Sequence, residues 1–150
     1  MNRFHGVISI LLMAVSFLLG VLSIISKTIL WGTIYFLILI FFFMVIIYIY
    51  CTKCPNTRNN SCKHIFPGYI AKLFPAKKQS GYAAGELLIT VLSFLILAGF
   101  PQYWLQNNIS LFILFWGLLM LAVIDVLLFV CKGCFNIYCI MYPNKNNTVK

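Results

Sequence analysis

Four apolar runs, each about as long as a helix that crosses a hydrocarbon core, dominate this 150-residue chain. Such a crossing takes about 20 residues. The runs fall near 7–26, 29–50, 83–100 and 109–130. Within lipid every backbone N–H and C=O must be satisfied inside the chain, so runs of this kind are helical. A β-barrel does not fit, because the apolar residues are continuous rather than alternating. Charged residues are only 9% of the chain, where a soluble domain carries roughly a quarter. The first run follows Arg3 and is too long for a signal-peptide core, and it lacks an A-x-A-like cleavage site. The expectation is one all-α membrane domain over 1–150 with four transmembrane helices.

Basic residues set the expected orientation. Lys53, Arg58, Lys63, Lys72, Lys77 and Lys78 lie in the 51–82 loop, Arg3 before the first helix, and Lys132, Lys145 and Lys150 after the last. Lys27 alone falls on the other face. Ten of eleven basic residues thus share one side, which the positive-inside rule assigns to the cytoplasm. Both termini, the loop and the 131–150 tail are expected there, in an inner (plasma) membrane. Aromatic residues fit that frame: Trp31, Tyr35, Tyr103 and Trp104 at the outer interface, Tyr48 and Tyr50 at the inner one. The +9 net charge follows from topology and points to anionic lipid headgroups and membrane-protein partners rather than to nucleic acid.

All six cysteines stand just beyond even-numbered helices. Cys51, Cys54 and Cys62, with His64, follow the second; Cys131, Cys134 and Cys139 follow the fourth. Each cluster opens with Cys-x-x-Cys, whose two sulfurs can reach one ion. Pro55, Asn56, Asn59 and Asn60 read as turns that fold the loop back, bringing Cys62 and His64 toward the first pair. Two Cys-x-x-Cys turns complete a tetrahedral zinc shell, and the remaining ligands suffice for a second, mixed site. An iron–sulfur cluster needs the same thiolates. Disulfides are disfavoured in a reducing cytoplasm. Cys51 and Cys131 sit at helix C-termini, where the dipole opposes thiolate, so a cation has to offset it. Lys53, Lys63 and Lys132 are candidates for part of that charge. In an up-down bundle the second and fourth helices can lie diagonally, which leaves one shared ion or two separate sites open.

The rest of the loop, 65–74, mixes apolar and basic residues. Tyr69, Ile70, Leu73 and Phe74 suggest one face of a short interfacial helix, started by Pro67-Gly68 and stopped by Pro75. Glu86 suits the first turn of the third helix as a cap. Asp125 lies within the fourth helix and marks an intramembrane polar site, with no basic residue in the spanning segments to pair with it. His5 stands before the first helix as an interface residue.

No nucleotide loop, hydrolase elbow or carboxylate pair is present. The loop pair Cys54 and Cys62, with seven residues between them, and the Cys-x-x-Cys of Cys131 and Cys134 near the last helix resemble the vitamin K epoxide reductase family in part. That family is also a small four-helix membrane protein, and its loop pair relays electrons to a Cys-x-x-Cys beside a quinone. Here the loop follows the second helix rather than the first, and the Cys-x-x-Cys ends the fourth rather than lying within it. The resemblance implies shared chemistry, not descent. The leading expectation is therefore a non-enzymatic membrane protein holding zinc at Cys51, Cys54, Cys62, His64, Cys131, Cys134 and Cys139, for structure, sensing or metal handling. The alternatives are an oxidoreductase or electron-transfer subunit using an iron–sulfur cluster or dithiols with quinone, and an accessory subunit of a larger complex.

Overall fold

The chain is all-helical where the computed structural model describes it, at residues 4–54, 64–75 and 82–130. The first span is α1 (Phe4–Ile25) and the second is α2 (Ile29–Ile46), extended by a π-helical turn over Ile47–Cys51. A short α3 (Ile65–Ala71) follows. The third span joins α4 (Ala84–Gly99) to α5 (Gln102–Leu105), and the fourth is α6 (Ile109–Asp125), extended by a second π-helical turn over Val126–Val130. All four spans are long and apolar enough to cross a membrane. The spans match the apolar runs closely, because chain length in lipid leaves little freedom at helix ends.

Local chemistry fixes the boundaries. Asn108 caps α6 with its side-chain oxygen, which accepts the Leu111 N–H at 3.3 Å. Glu86, in the first turn of α4, accepts the Ala83 N–H at 3.0 Å and so serves as the expected cap. Pro101 breaks the third span between α4 and α5. The turn joining α1 to α2 is tight because Gly32 lies against Ile25: a Cβ there would meet the Ile25 side chain and stand 3.1 Å from its backbone nitrogen.

The first span is the centre of the bundle. It packs most extensively against α6, then against α2, while α4 packs against α2. The apolar core lies in the half of the molecule remote from the cysteines, built by Phe17, Val21, Ile24, Tyr35, Leu97, Ala98, Leu105, Phe115 and Leu119. Tyr35 corrects an expectation. It is not an interface residue but wholly buried, stacked on Phe100 with ring centroids 5.3 Å apart. Its hydroxyl donates to the Leu97 carbonyl at 2.7 Å. That carbonyl would bond the N–H four residues on, but residue 101 is proline and has none. Tyr35 supplies the missing donor. Ser16 adds a second polar tie, donating to the Phe115 carbonyl at 3.0 Å across α1 and α6. Trp31 and Tyr103, by contrast, stay exposed, as the interface reading requires.

Candidate functional site

The second and fourth spans end differently from every other described helix. Each widens into a π-helical turn, and each turn runs directly into a Cys-x-x-Cys sequence. Cys51 closes the first turn; Val130 closes the second, one residue before Cys131. Single π turns are rare and cluster at functional sites, because they rotate the residues that follow about the helix axis. No composition signal announced them. At the end of α2, side chains satisfy the widened backbone: the Thr52 hydroxyl donates to the Tyr48 carbonyl, and the Tyr82 hydroxyl to the Tyr50 carbonyl at 3.4 Å.

The described part of the loop, 64–75, returns to the end of the second span, whereas the expected turn residues Pro55, Asn56, Asn59 and Asn60 lie outside the described residues. α3 packs against the π turn that carries Cys51, and Phe74 meets Tyr48 edge to face at 5.5 Å. His64 directly precedes α3 in extended conformation, without a side-chain cap hydrogen bond, and so lies on the segment that returns to the Cys51–Cys54 turn. A short helix thus exists in this part of the loop, but it begins at Ile65 rather than at Pro67-Gly68. Pro67 occupies the first turn, where its missing N–H costs nothing. Pro67, Gly68 and Ala71 face the protein, while Ile65, Phe66 and Tyr69 face outward. Phe74 lies past the helix and packs on Tyr48 instead of joining that outer face.

His64 is oriented by the first span. Its Nδ1 stands 3.1 Å from the Gly6 carbonyl oxygen. A carbonyl only accepts, so Nδ1 carries a proton here. The same carbonyl takes the buried Ser9 hydroxyl at 3.3 Å. Cys54 N–H donates to the Cys51 carbonyl at 3.3 Å, closing a tight turn between the two thiols, both of which are half-buried.

Two charged pairs surround this corner. Lys53 Nζ lies 2.6 Å from Glu86 Oε1, with side chains 11% and 22% exposed. The Lys53 ammonium also stands 5.9 Å from the Tyr82 ring centroid. Lys53 was a candidate to offset thiolate charge; Glu86 neutralises it, so that offset has to come from elsewhere. Glu86 therefore both caps α4 and ties it to the end of α2.

The second pair corrects two expectations. His5 does not precede the first helix but lies in its first turn, and its Nδ1 is 2.9 Å from Asp125 Oδ1. Asp125 thus has an imidazole partner at its own depth. The His5 ring stacks on Phe129 with centroids 4.2 Å apart. The carboxylate also sits beside the N-terminal turn of α1, where the dipole favours negative charge. Its Oδ2 is buried and has no hydrogen-bond partner among the described residues. A sequence signal did exist: His5 lies just outside the first run and Asp125 just inside the end of the fourth, so both sit near the same face.

The first turns of α1 therefore link the two cysteine-bearing ends, through Gly6 to the loop and through His5 to the fourth span. Of the expected ligands, Cys51, Cys54 and His64 are described, whereas Cys62, Cys131, Cys134 and Cys139 lie outside the described residues. Among the described residues no group of three His, Cys, Asp or Glu side chains is close enough to hold a metal ion. Comparison with protein-family models, curated proteins and solved structures yields no match.

Proposed function

We propose that this is an integral membrane protein with a zinc site in its 51–64 segment, ligated by Cys51, Cys54, Cys62 and His64. The observation that carries the reading is the orientation of His64. A histidine that binds zinc through one nitrogen donates its other ring N–H to a carbonyl or carboxylate, which fixes tautomer and angle. The Gly6 carbonyl performs that part here, on a segment that α3 returns to the Cys51–Cys54 turn. The donor set is chemically consistent: three thiolates and one imidazole make a closed tetrahedral shell, the form taken by structural zinc. Zinc would also supply the positive charge that the C-terminal end of the second span requires of a thiolate.

A site confined to the loop is favoured over one ion shared with Cys131 and Cys134. Cys51, Cys54, Cys62 and His64 already supply four ligands, so the shell closes without Cys131 and Cys134. Cys131, Cys134 and Cys139 then form a separate set of thiols. A closed four-ligand site leaves no open position for substrate, so the role is structural or sensory rather than catalytic. The excess of basic residues on this face supports a cytoplasmic location, against anionic headgroups of the inner leaflet.

Metal analysis of anaerobically purified full-length protein tests the reading. Zinc should be present, should be lost on His64→Ala or Cys51→Ser, and should persist at the loop on Cys131→Ser. Metal-free protein, or visible absorption with iron and sulfide, would sink the zinc reading. Loss of all metal on Cys131→Ser would restore the shared ion.

A further inference from the structure

Both residues between the first two thiols are anchored, and each is anchored to a different span. In the Cys51-Thr-Lys-Cys54 turn, the buried Thr52 hydroxyl donates back to the Tyr48 carbonyl of its own helix. Lys53 reaches across to the third span instead. Its ammonium stands 2.6 Å from Glu86 Oε1 and donates to Oε2 at 2.7 Å, so it engages both carboxylate oxygens. Tyr82 lies beside the pair, 5.9 Å from the ammonium, and its ring stacks on Tyr50 with centroids 4.6 Å apart. An ion pair shielded in this way is stronger and less screened by salt than one on an open surface.

The distant anchor is itself fixed. Glu86 Oε2 also accepts the Ala83 N–H at 3.0 Å, which ties the carboxylate to the start of α4, and α4 packs against α2. Where the third span begins therefore sets the direction of Lys53. A Cys-x-x-Cys turn holds one ion only when its two sulfurs converge, and its two spacer residues decide whether they do. Thr52 supplies a local restraint on that shape, and Lys53 supplies one from 33 residues away.

We propose that the third span controls the Cys51–Cys54 thiols, with Glu86 acting as a positioning residue through Lys53, and so sets their affinity for zinc. This control rests on the zinc reading for its ligand, whereas the held shape of the turn does not. Linkage makes the effect mutual: what the metal gains from a held turn, the start of the third span gains from bound metal. Zinc occupancy is thereby carried into the position of a membrane span.

Charge alone is the rival explanation, and two substitutions separate it from positioning. Glu86→Gln leaves an unbalanced cation beside the thiols, while Lys53→Met removes one. Electrostatics alone would move zinc affinity in opposite directions in the two variants. Loss of positioning lowers it in both. Glutamine still serves in a capping box, so Glu86→Gln keeps the start of α4.

The test measures zinc affinity of full-length protein by competition with a chromophoric chelator. Glu86→Gln and Lys53→Met should each weaken binding about tenfold, the low end for residues that orient a ligand. The double variant should bind no more weakly than either single one, and Lys53→Arg should bind as wild type does. Unchanged affinity, shifts of opposite sign or an additive double variant would overturn the positioning role. A second readout needs no metal: N-ethylmaleimide should label Cys51 and Cys54 several-fold faster in both single variants of the metal-free protein. If wild-type protein binds no zinc, the zinc reading fails and labelling decides the rest. Faster labelling in both variants then upholds control of the thiols by the third span, and equal rates overturn it.

Discussion

The two ends of this bundle are made from similar apolar helices but are held together in different ways. At the end remote from the cysteines, Phe17, Ile24, Phe115 and Leu119 interlock around Tyr35. The polar groups there repair one another, with the Tyr35 hydroxyl taking the carbonyl that Pro101 leaves unpaired. Among the described residues of the cysteine end, few large side chains are fully buried. Segments are tied instead by polar contacts: His5 to Asp125, Lys53 to Glu86, and His64 to Gly6. Packing makes the first end a rigid base. Directed bonds make the second end a place where chemistry can act on helix position.

Four measurements can break or sharpen that contrast. The largest effect is expected at the cysteine end, where removing the proposed ligand with His64→Ala should lower zinc affinity by more than about a hundredfold. Even residues that only orient a ligand cost roughly 10–100-fold. Competition with a chromophoric chelator measures this. Retention of full affinity would leave His64 as a tie between the loop and Gly6, without a metal role.

Next comes Tyr35. Truncation to alanine removes a fully buried ring and should cost about 3–5 kcal/mol in unfolding free energy. Tyr35→Phe keeps the ring but strands the Leu97 carbonyl, for about 1–3 kcal/mol. Tyr103→Phe, at an exposed ring, should change nothing, and unfolding in detergent compares all three. If Tyr35→Phe proves neutral, the polar repair at the proline break is not what stabilises this end.

Gly32→Ala should follow, at about 1–3 kcal/mol, since the added methyl meets Ile25 and its backbone. A thermal-melt series detects it, and an unchanged midpoint would show that the hairpin between the first two spans can open at little cost. Smallest is the His5–Asp125 coupling. A double-mutant cycle of His5→Ala and Asp125→Ala should give about 0.6 kcal/mol, in the range known for polar contacts between membrane helices. A coupling several times larger would make this pair, rather than the aromatic core, the main tie between the first and fourth spans.

Much of the fold was legible because the bilayer restricts it so severely. Each span lies within a few residues of its apolar run, and Glu86 caps α4 as its position implied. The turns expected at Pro55, Asn56, Asn59 and Asn60 lie outside the described residues, and what the structure adds is the packing of α3 on the turn that carries Cys51. Tyr35 was misread because interface and core aromatics look alike in one dimension. The carbonyl left by Pro101, 66 residues later in the chain, is what draws it inward. His5 was misread for a related reason: the helix begins one turn earlier than the apolar run, since its first residues are held by Asp125 and Phe129. The π turns left no trace in residue type.

By itself the sequence determined the class, the number of spans, their limits and the gathering of cysteines next to two of them, because hydrocarbon admits only long apolar helices with internally satisfied backbones. Tertiary structure alone decided which polar groups meet. It set Gly6 against His64, His5 against Asp125 and Lys53 against Glu86, because such contacts depend on how α1 lies between its neighbours. Helical periodicity fixes the faces of one helix, but not which face it turns to another.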